Sequence, residues 1–213
     1  MGLPRTEARL HDEFPPVTLL LSEIEHLKRE LAVARARVGE LEARADIDPM
    51  LDVLNRRGFE RELKRAIAYA KRYGTQAALL FIDLDGFKAV NDRHGHGTGD
   101  ALLKAVTREL VARVRASDVV GRLGGDEFGV VIWWVDEADA KAKARELERL
   151  IERVNVIHGQ AQVQVAASVG AAPLLADAAA AEIIAAADRA MYERKEEKGF
   201  AGRDQPSPTS ATQ

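Results

Sequence analysis

The chain contains no cysteine, which excludes disulfides, thiolate metal sites and a cysteine nucleophile. It also lacks an apolar run long enough to cross a bilayer. The apolar stretch 19–21 leads directly into acidic residues and not into the longer apolar segment of a signal peptide. The formal net charge is -3, so the chain has no positive excess that would attract nucleic acid or an anionic membrane. We therefore expect a cytoplasmic protein that neither binds nucleic acid nor inserts into a membrane.

The remaining composition is that of an ordinary globular protein, with 46% hydrophobic and 31% charged residues among 213. This length suits one well-buried domain and a modest extension. Residues 1–17 mix charge and proline without a period, and residues 199–213 are small, polar and proline-containing. Both ends are predicted to be disordered, so function is expected between them.

Segment 18–47 carries an apolar residue at alternating steps of four and three, the pattern of a coiled-coil seam. The seam positions are Leu20, Ile24, Leu27, Leu31, Ala34, Val38, Leu41 and Ala45. With Leu20 at heptad position d, the residue types favour two parallel strands, and Glu23 would face the oppositely charged Lys28 of a partner. We predict a dimerising parallel coiled coil. The alternative is a single amphipathic helix packed on its own domain.

Residues 48–198 read as one globular domain that opens at Pro49. The patterns predict helices over about 56–73, 99–115, 137–154 and 179–198, and strands over about 77–82, 119–123, 128–135 and 162–169. The fold class is α+β with an α/β-like alternation: a central, mostly antiparallel sheet with flanking helices. The dipeptide Gly124-Gly125 is predicted to take the positive φ angles of a tight hairpin turn between the two middle strands.

The first stretch that carries chemistry is the end of a buried strand, where Asp83, Leu84 and Asp85 are followed by Lys88. Ligand sites of open sheets tend to lie at strand ends. Taken alone, Asp83 is more typical of a turn or a helix cap than of a ligand.

The second stretch is the hairpin 122–128, in which two glycines expose backbone N–H groups next to Asp126 and Glu127. Such N–H groups are natural anion donors, although the same residues also suit a plain polar turn. Carboxylates on neighbouring strand ends, together with a lysine and glycine N–H groups, are what a magnesium-bound triphosphate requires.

With these motifs in place, residues 48–198 resemble the GGDEF family of diguanylate cyclases. The resemblance is carried by Gly124–Phe128 and by several further motifs in the expected order. These are Asn55-Arg56-Arg57, Asp83-Leu84-Asp85 with Phe87-Lys88, Asn91-Asp92, Gly95-His96 with Gly99-Asp100, Ser168-Val169-Gly170, and Ala187-Asp188 with Met191-Tyr192 and Lys195. The resemblance implies a palm-like, nucleotidyl-cyclase-like GGDEF domain.

The same resemblance implies an activity and a set of site residues. Two GTP molecules, one on each subunit of a homodimer, would condense into cyclic di-GMP with release of two pyrophosphates. Magnesium, or manganese in its place, would be held by Asp83, the Leu84 carbonyl, Asp126 and Glu127. The implied catalytic residues are Glu127, which would help to ionise or position the attacking ribose hydroxyl, Asp126 and Lys88. Asn91 and Asp100 would read guanine, and Gly124, Gly125, Lys88 and Lys195 would bind the rest of GTP.

Arg115 and Asp118 fit the position of the family's inhibitory RxxD site, which implies feedback inhibition by cyclic di-GMP. Arginine can grip phosphate or guanine with two hydrogen bonds, and aspartate can accept from guanine N–H groups. Without the neighbouring motifs, the same spacing would indicate only a solvent-exposed ion pair.

The chain departs from the family pattern at two places. Segment 48–56 lacks a threonine and a glycine that are usual there, and no arginine follows Lys195 in the usual Gly-Arg-Asn motif. A phosphate contact is therefore lost or supplied by Lys198 or Arg203, which predicts weaker GTP binding and not inactivity. Two other functions stay open: a non-catalytic module that binds GTP or cyclic di-GMP, and an adaptor that recruits a protein partner through the coiled coil.

Overall fold

A computed structural model describes residues 17–44, 46–159 and 161–199. The chain divides into two compact units, with the boundary between residues 45 and 46. The first unit contains one helix and the second contains the sheet.

Helix α1 (Val17–Arg44) is continuous over 28 residues. Among the predicted seam positions, Leu20, Ile24, Leu27 and Leu31 are 46–53% exposed, so the helix carries an uncovered apolar stripe in the single chain. The side chains at 34, 38, 41 and 45 lie outside the described residues, and parallel pairing stays a prediction. Within the described ranges, no helix combines the length and apolar character needed to span a membrane.

The second unit alternates helices and strands. Its elements are α2 (Arg56–Tyr73), β1 (Ala77–Asp85), α3 (Phe87–His94), α4 (His96–Ala112), β2 (Val119–Arg122), β3 (Glu127–Trp133), α5 (Glu137–Ile151), β4 (Val156–His158), β5 (Ala161–Val163), β6 (Ala166–Pro173) and α6 (Ala180–Glu197). Local chemistry explains several boundaries. The Asn55 side chain accepts from the Gly58 N–H at the start of α2, and Gly74, with φ 65°, ends that helix in the left-handed conformation that glycine adopts readily.

The central sheet has the strand order β2-β3-β1-β6, and each neighbouring pair is antiparallel. This arrangement confirms the predicted α+β class with a mostly antiparallel sheet. In register, Asp83 of β1 lies opposite Glu127 of β3 on one side and Ser168 of β6 on the other. Residues paired across antiparallel strands project to the same face, so these three side chains share one face of the sheet.

Two predictions about local structure were wrong. The single strand predicted over 162–169 is a small β4–β5 hairpin followed by β6, because Gly159, with φ 61°, turns the chain back and the sheet strand begins only at Ala166. The antiparallel hairpin at 122–128 is confirmed, but Gly124 and Gly125 do not have positive φ. Four residues, 123–126, connect its strands, so the tight two-residue turn is not needed.

Helices cover both faces of the sheet. On one face, Leu80 and Ile82 belong to a buried cluster with residues of α4 and α5, including Leu102 and Leu147. On the other, Leu79 and Phe81 belong to a cluster with residues of α2 and α6. Because Asp83 and Asp85 follow the alternation of Leu79 and Phe81, they lie on the α2 and α6 face.

Candidate functional site

The end of β1 and the start of β3 bring the predicted metal-binding residues to one edge of the sheet. Asp83 and Glu127 are register partners, and the Leu84 N–H donates to the Asp126 carbonyl over 3.3 Å. The antiparallel pairing thus collects three carboxylates from two segments that lie more than forty residues apart in sequence.

Lys195 belongs to α6, near the C-terminal end of the domain, and its side chain reaches the end of β1. Its Nζ lies 2.7 Å from Asp83 Oδ1 and 4.0 Å from Asp85 Oδ1. The side chains of Lys195 and Asp83 are only 11% and 14% exposed, so the pair is largely shielded from solvent. The predicted phosphate ligand Lys195 therefore lies directly on the predicted metal ligand Asp83.

Asp85 lies beneath this pair and is fully buried at its side chain. The Ser168 hydroxyl donates to both of its carboxylate oxygens, at 3.0 and 2.9 Å. Burial raises the pKa of Asp85 to about 6, although the Ser168 bond and Lys195 act in the opposite direction. Because the folded state holds this proton more tightly, the stabilisation from Asp85 is fully present below its ordinary value of 3.8 and is lost as pH rises through about 6.

Glu127 is half-buried and lies against the hairpin backbone. Its carboxylate is 3.6 Å from an Arg56 nitrogen and packs over the Cα of Gly124. Burial raises the pKa of Glu127, Arg56 opposes this shift, and the negative charges of Asp83 and Asp126 add to it. A raised pKa brings the carboxylate closer to the range in which it can take a proton near neutral pH.

Two arginines without an assigned role in the sequence analysis hold the hairpin tip. Arg122 donates to the carbonyls of Gly124 and Gly125 over 2.9 and 2.7 Å, and it forms an ion pair with Asp48 at 3.0 Å. Arg56 donates to the Leu123 carbonyl over 2.6 Å. The sequence offered a signal for both, since Arg56 belongs to a motif of the resemblance and Arg122 lies two residues before another, but their targets could not be read from spacing.

The predicted guanine-reading residues lie at the junction of α3 and α4. Asn91 of α3 packs directly over Gly99 of α4, where a Cβ would overlap its side-chain oxygen, and Asp100 follows as an exposed residue. Gly95 turns the chain between the helices with φ 80°. Lys88 is exposed in the first turn of α3, after the end of β1. Asn91 and Asp100 thus lie close together where α3 packs on α4.

The donor set at the strand ends fits a hard divalent cation, because Asp83, Asp126 and Glu127 offer carboxylate oxygens and Leu84 a backbone carbonyl. In the part of the chain that the structure describes, no three histidine, aspartate or glutamate side chains converge closely enough to form a metal-binding group. The Lys195 ammonium is the cation on Asp83 in this arrangement.

The predicted inhibitory pair lies between α4 and β2. Asp118 Oδ2 accepts from the Arg115 backbone N–H at 2.8 Å, and Oδ1 accepts from the Trp133 N–H at 3.3 Å. The carboxylate thus fixes the local backbone, and both residues line an open cavity of about 490 Å³ beside Trp133.

Lys198 and Arg203 are the two candidates for the missing phosphate contact, and the Lys198 side chain already binds other groups of the protein. Its Nζ lies 2.7 Å from the Ala167 carbonyl and 3.1 Å from Glu148. Arg203 lies outside the described residues.

The sequence profile of the family described as "Diguanylate cyclase, GGDEF domain" matches residues 45–200. The bifunctional diguanylate cyclase/cyclic di-GMP phosphodiesterase MucR of Pseudomonas aeruginosa is 39% identical over 183 residues, which cover 85% of this chain and 27% of that protein. The diguanylate cyclase DosC of Escherichia coli is 35% identical over 175 residues, which cover 81% of this chain and 36% of that protein. The chain therefore spans about a third of the length of these relatives.

One similar solved structure contains a coiled coil and a GGDEF domain. It is that of DgcB from Caulobacter crescentus in complex with c-di-GMP, with 23% identity and a TM-score of 0.69, covering 84% of this chain and 95% of that one. At this identity the likeness concerns the fold.

Proposed function

The chain belongs to the GGDEF domain family, and from this premise we propose that it is a diguanylate cyclase that condenses two GTP molecules into cyclic di-GMP and two pyrophosphates. The observation that carries the proposal is the pairing of Asp83 with Glu127 across β1 and β3, beside Asp126 and Lys195. This edge combines anionic oxygens, a shielded lysine and an adjacent glycine loop, the groups that phosphoryl transfer from a nucleotide requires.

Each residue then has a definable task. Glu127, whose pKa is raised by burial, accepts the proton of the attacking 3′-hydroxyl or orients that hydroxyl. The Gly125 N–H would face phosphate oxygens, and Lys88 and Lys195 would neutralise them. The Gly124 N–H donates to the Glu127 carbonyl over 3.4 Å and would share this bond with phosphate. Asn91 and Asp100 bind the guanine edge.

Asp83, Asp126, Glu127 and the Leu84 carbonyl would hold Mg²⁺, or Mn²⁺ in its place. When bound, the cation neutralises charge that develops on the phosphate and makes the hydroxyl easier to deprotonate. Because Lys195 lies on Asp83, we expect the lysine to shift towards phosphate oxygens when cation and nucleotide bind.

A domain with one GTP is half of a reactive pair, so we propose that the enzyme works as a homodimer. The support is the uncovered apolar stripe of α1, formed by Leu20, Ile24, Leu27 and Leu31. A parallel pair of α1 helices would raise the effective concentration of one GTP-loaded domain next to the other. If α1 does not pair with its own copy, the same stripe would bind a helix of a protein partner.

We further propose that cyclic di-GMP inhibits the enzyme through Arg115 and Asp118. Arg115 is exposed beside the cavity that Trp133 also lines. Its guanidinium can bind phosphate or guanine, and the Asp118 carboxylate can accept from guanine N–H groups as well as from the backbone.

The decisive experiment incubates purified protein, first stripped of bound nucleotide, with GTP and Mg²⁺ and separates the products by chromatography. The wild type and Glu137→Gln, a change at an exposed glutamate on α5, should both form cyclic di-GMP. Glu127→Gln should form almost none. Slowing at high product that Arg115→Ala relieves would support inhibition. Loss of dimer and activity after removal of residues 1–45, which leaves the second unit intact, would support the coiled coil. If the stripped wild type binds GTP but forms no product, the chain is a binding module.

A further inference from the structure

Glu148 of α5 forms a buried ionic cluster that the site described above does not include. Only 4% of this residue is exposed, and its carboxylate accepts from Arg194 Nε and Nη2, at 3.1 and 3.0 Å, and from Lys198 Nζ at 3.1 Å. It also accepts from the backbone N–H of Val169 at 3.2 Å. We call Glu148, Arg194 and Lys198 the Glu148 cluster. Burial acts to raise the pKa of Glu148, but the bonds from Arg194 and Lys198 outweigh it and lower the pKa, so the group is ionised at neutral pH.

Strand β6 is an edge strand of the sheet, and the Glu148 cluster covers its outer edge. Backbone groups of a strand alternate between its two sides, so Ala167 and Val169 face away from β1 while Ser168 pairs with it. Glu148 binds the Val169 N–H, and Lys198 binds the Ala167 carbonyl at 2.7 Å. The two side chains thus take the place of a neighbouring strand on both sides of Ser168, the residue that bonds Asp85.

The same cluster fixes the last turn of α6. Arg194 directly precedes Lys195 and Lys198 follows it by three residues, so both arms of the cluster flank the lysine that lies 2.7 Å from Asp83. The Glu148 carboxylate on α5 receives four directional bonds, three from the end of α6 and one from β6, and so holds α5, α6 and β6 in one geometry.

We propose that Glu148 is a positioning residue, which sets the place of Lys195 on the strand-end carboxylates through Arg194 and Lys198. The inference rests on the proposed cyclase activity. If Glu148 loses its charge, Arg194 and Lys198 can each pair with another carboxylate that is more exposed to solvent. Arg194 already contacts Glu197 at 2.9 Å, and Lys198 lies 3.6 Å from Glu152. Both would turn outwards and release the last turn of α6 from β6.

The test is Glu148→Gln, which keeps the shape and an acceptor for the Val169 N–H but removes the charge. Glu146→Gln, on the exposed side of α5, is the matched control. We expect kcat/KM for cyclic di-GMP formation to fall between about 10-fold and 100-fold in Glu148→Gln, because a displacement of about 1 Å in a reacting group can cost that much. The control should stay within about twofold of the wild type.

A double-mutant cycle separates positioning from a general structural role. In a Lys195→Met background, Glu148→Gln should have almost no further effect, since the group it positions is gone. The affinity for a non-hydrolysable GTP analogue with Mg²⁺, measured by calorimetry, should show the same non-additivity between the two substitutions. If Glu148→Gln lowers activity and affinity equally in both backgrounds, or changes neither, Glu148 does not act through Lys195.

Two safeguards keep the result decisive. If Glu148→Gln does not fold, Lys198→Met removes one arm of the cluster while Arg194 stays on Glu148, and the same cycle applies. If the wild type forms no cyclic di-GMP, the proposed function fails, whereas the calorimetric cycle still accepts or rejects the positioning of Lys195.

Discussion

Replacing Gly124 with alanine tests how closely the hairpin backbone sets the place of Glu127. A Cβ built on Gly124 would overlap Glu127 Oε2 and would lie 3.1 Å from Glu127 Cδ. Unstrained carbon contacts are about 3.5–4.0 Å, so the carboxylate must withdraw by about 1 Å. Gly124 does not have positive φ, so alanine causes no backbone strain there.

This displacement should separate activity from stability. The Glu127 side chain is 33% exposed and can move into solvent, so we expect the free energy of unfolding to change by less than about 1 kcal/mol. A shift of about 1 Å in a proton-accepting group can lower the rate about 100-fold. We therefore expect kcat of Gly124→Ala to fall about 100-fold while its melting temperature stays almost unchanged.

The comparison variant is Gly125→Ala, because no described atom lies within 4 Å of a Cβ at that position. Any effect of Gly125→Ala should come from contact with bound nucleotide and should raise KM for GTP more than it lowers kcat. The assay is initial-rate formation of cyclic di-GMP over a range of GTP concentrations, with thermal unfolding of each variant. If Gly124→Ala keeps kcat within about threefold of the wild type, Glu127 does not depend on this contact.

Three further perturbations follow from single contacts. In the wild type, the raised pKa of Asp85 should add about 3 kcal/mol to the free energy of unfolding as pH falls from about 6 to 3.8. Asp85→Asn should remove this increase, which urea unfolding at pH 4.5 and 7.5 can detect. If the variant gains as much stability between these pH values as the wild type, Asp85 is not its source. Gly170→Ala should lower the free energy of unfolding by about 3 kcal/mol or more, because its Cβ would meet the backbone of α6, including the Ala190 carbonyl carbon at 2.8 Å. A variant as stable as the wild type in urea would contradict this close packing. Arg122→Met should lower kcat by freeing the Gly125 carbonyl, and proteolysis should cut the hairpin faster than in the wild type; equal cutting rates would argue against this role.

The sequence predicted the elements best where a local signal marks both ends. Helix α2 has the predicted bounds because Asn55 caps its start and Gly74 ends it. The motifs at the two strand ends predicted that Asp126 and Glu127 meet Asp83, although the pairing of β3 with β1 that joins them is a long-range contact. The region around 156–166 was predicted poorly, because alternating valines fit one strand as well as the β4–β5 hairpin followed by β6.

The contacts that shape the site chemically were beyond sequence reasoning. Lys195 lies 112 residues from Asp83 in sequence, and its ammonium could have faced solvent or phosphate as readily as a carboxylate. The buried Ser168–Asp85 bond depends on the register of β6 against β1, which no short motif specifies. Glu148 had no motif at all. These contacts depend on how α5 and α6 pack on the sheet, and helix packing is not encoded in local pattern.

The distribution of cations gives a physical reason to expect weak GTP binding. Several carboxylates meet at the strand ends, and their repulsion adds to the burial that raises the pKa of Glu127. Lys195 relieves that repulsion at Asp83, whereas the neighbouring Lys198 is held on Glu148 and the Ala167 carbonyl. Triphosphate binding must therefore draw Lys195 away from Asp83 without help from Lys198, and a cation must take its place. The affinity for GTP should therefore rise steeply with Mg²⁺ concentration. The rise should exceed what neutralising the nucleotide charge alone would give, because the metal also neutralises the Asp83 carboxylate once Lys195 has left it.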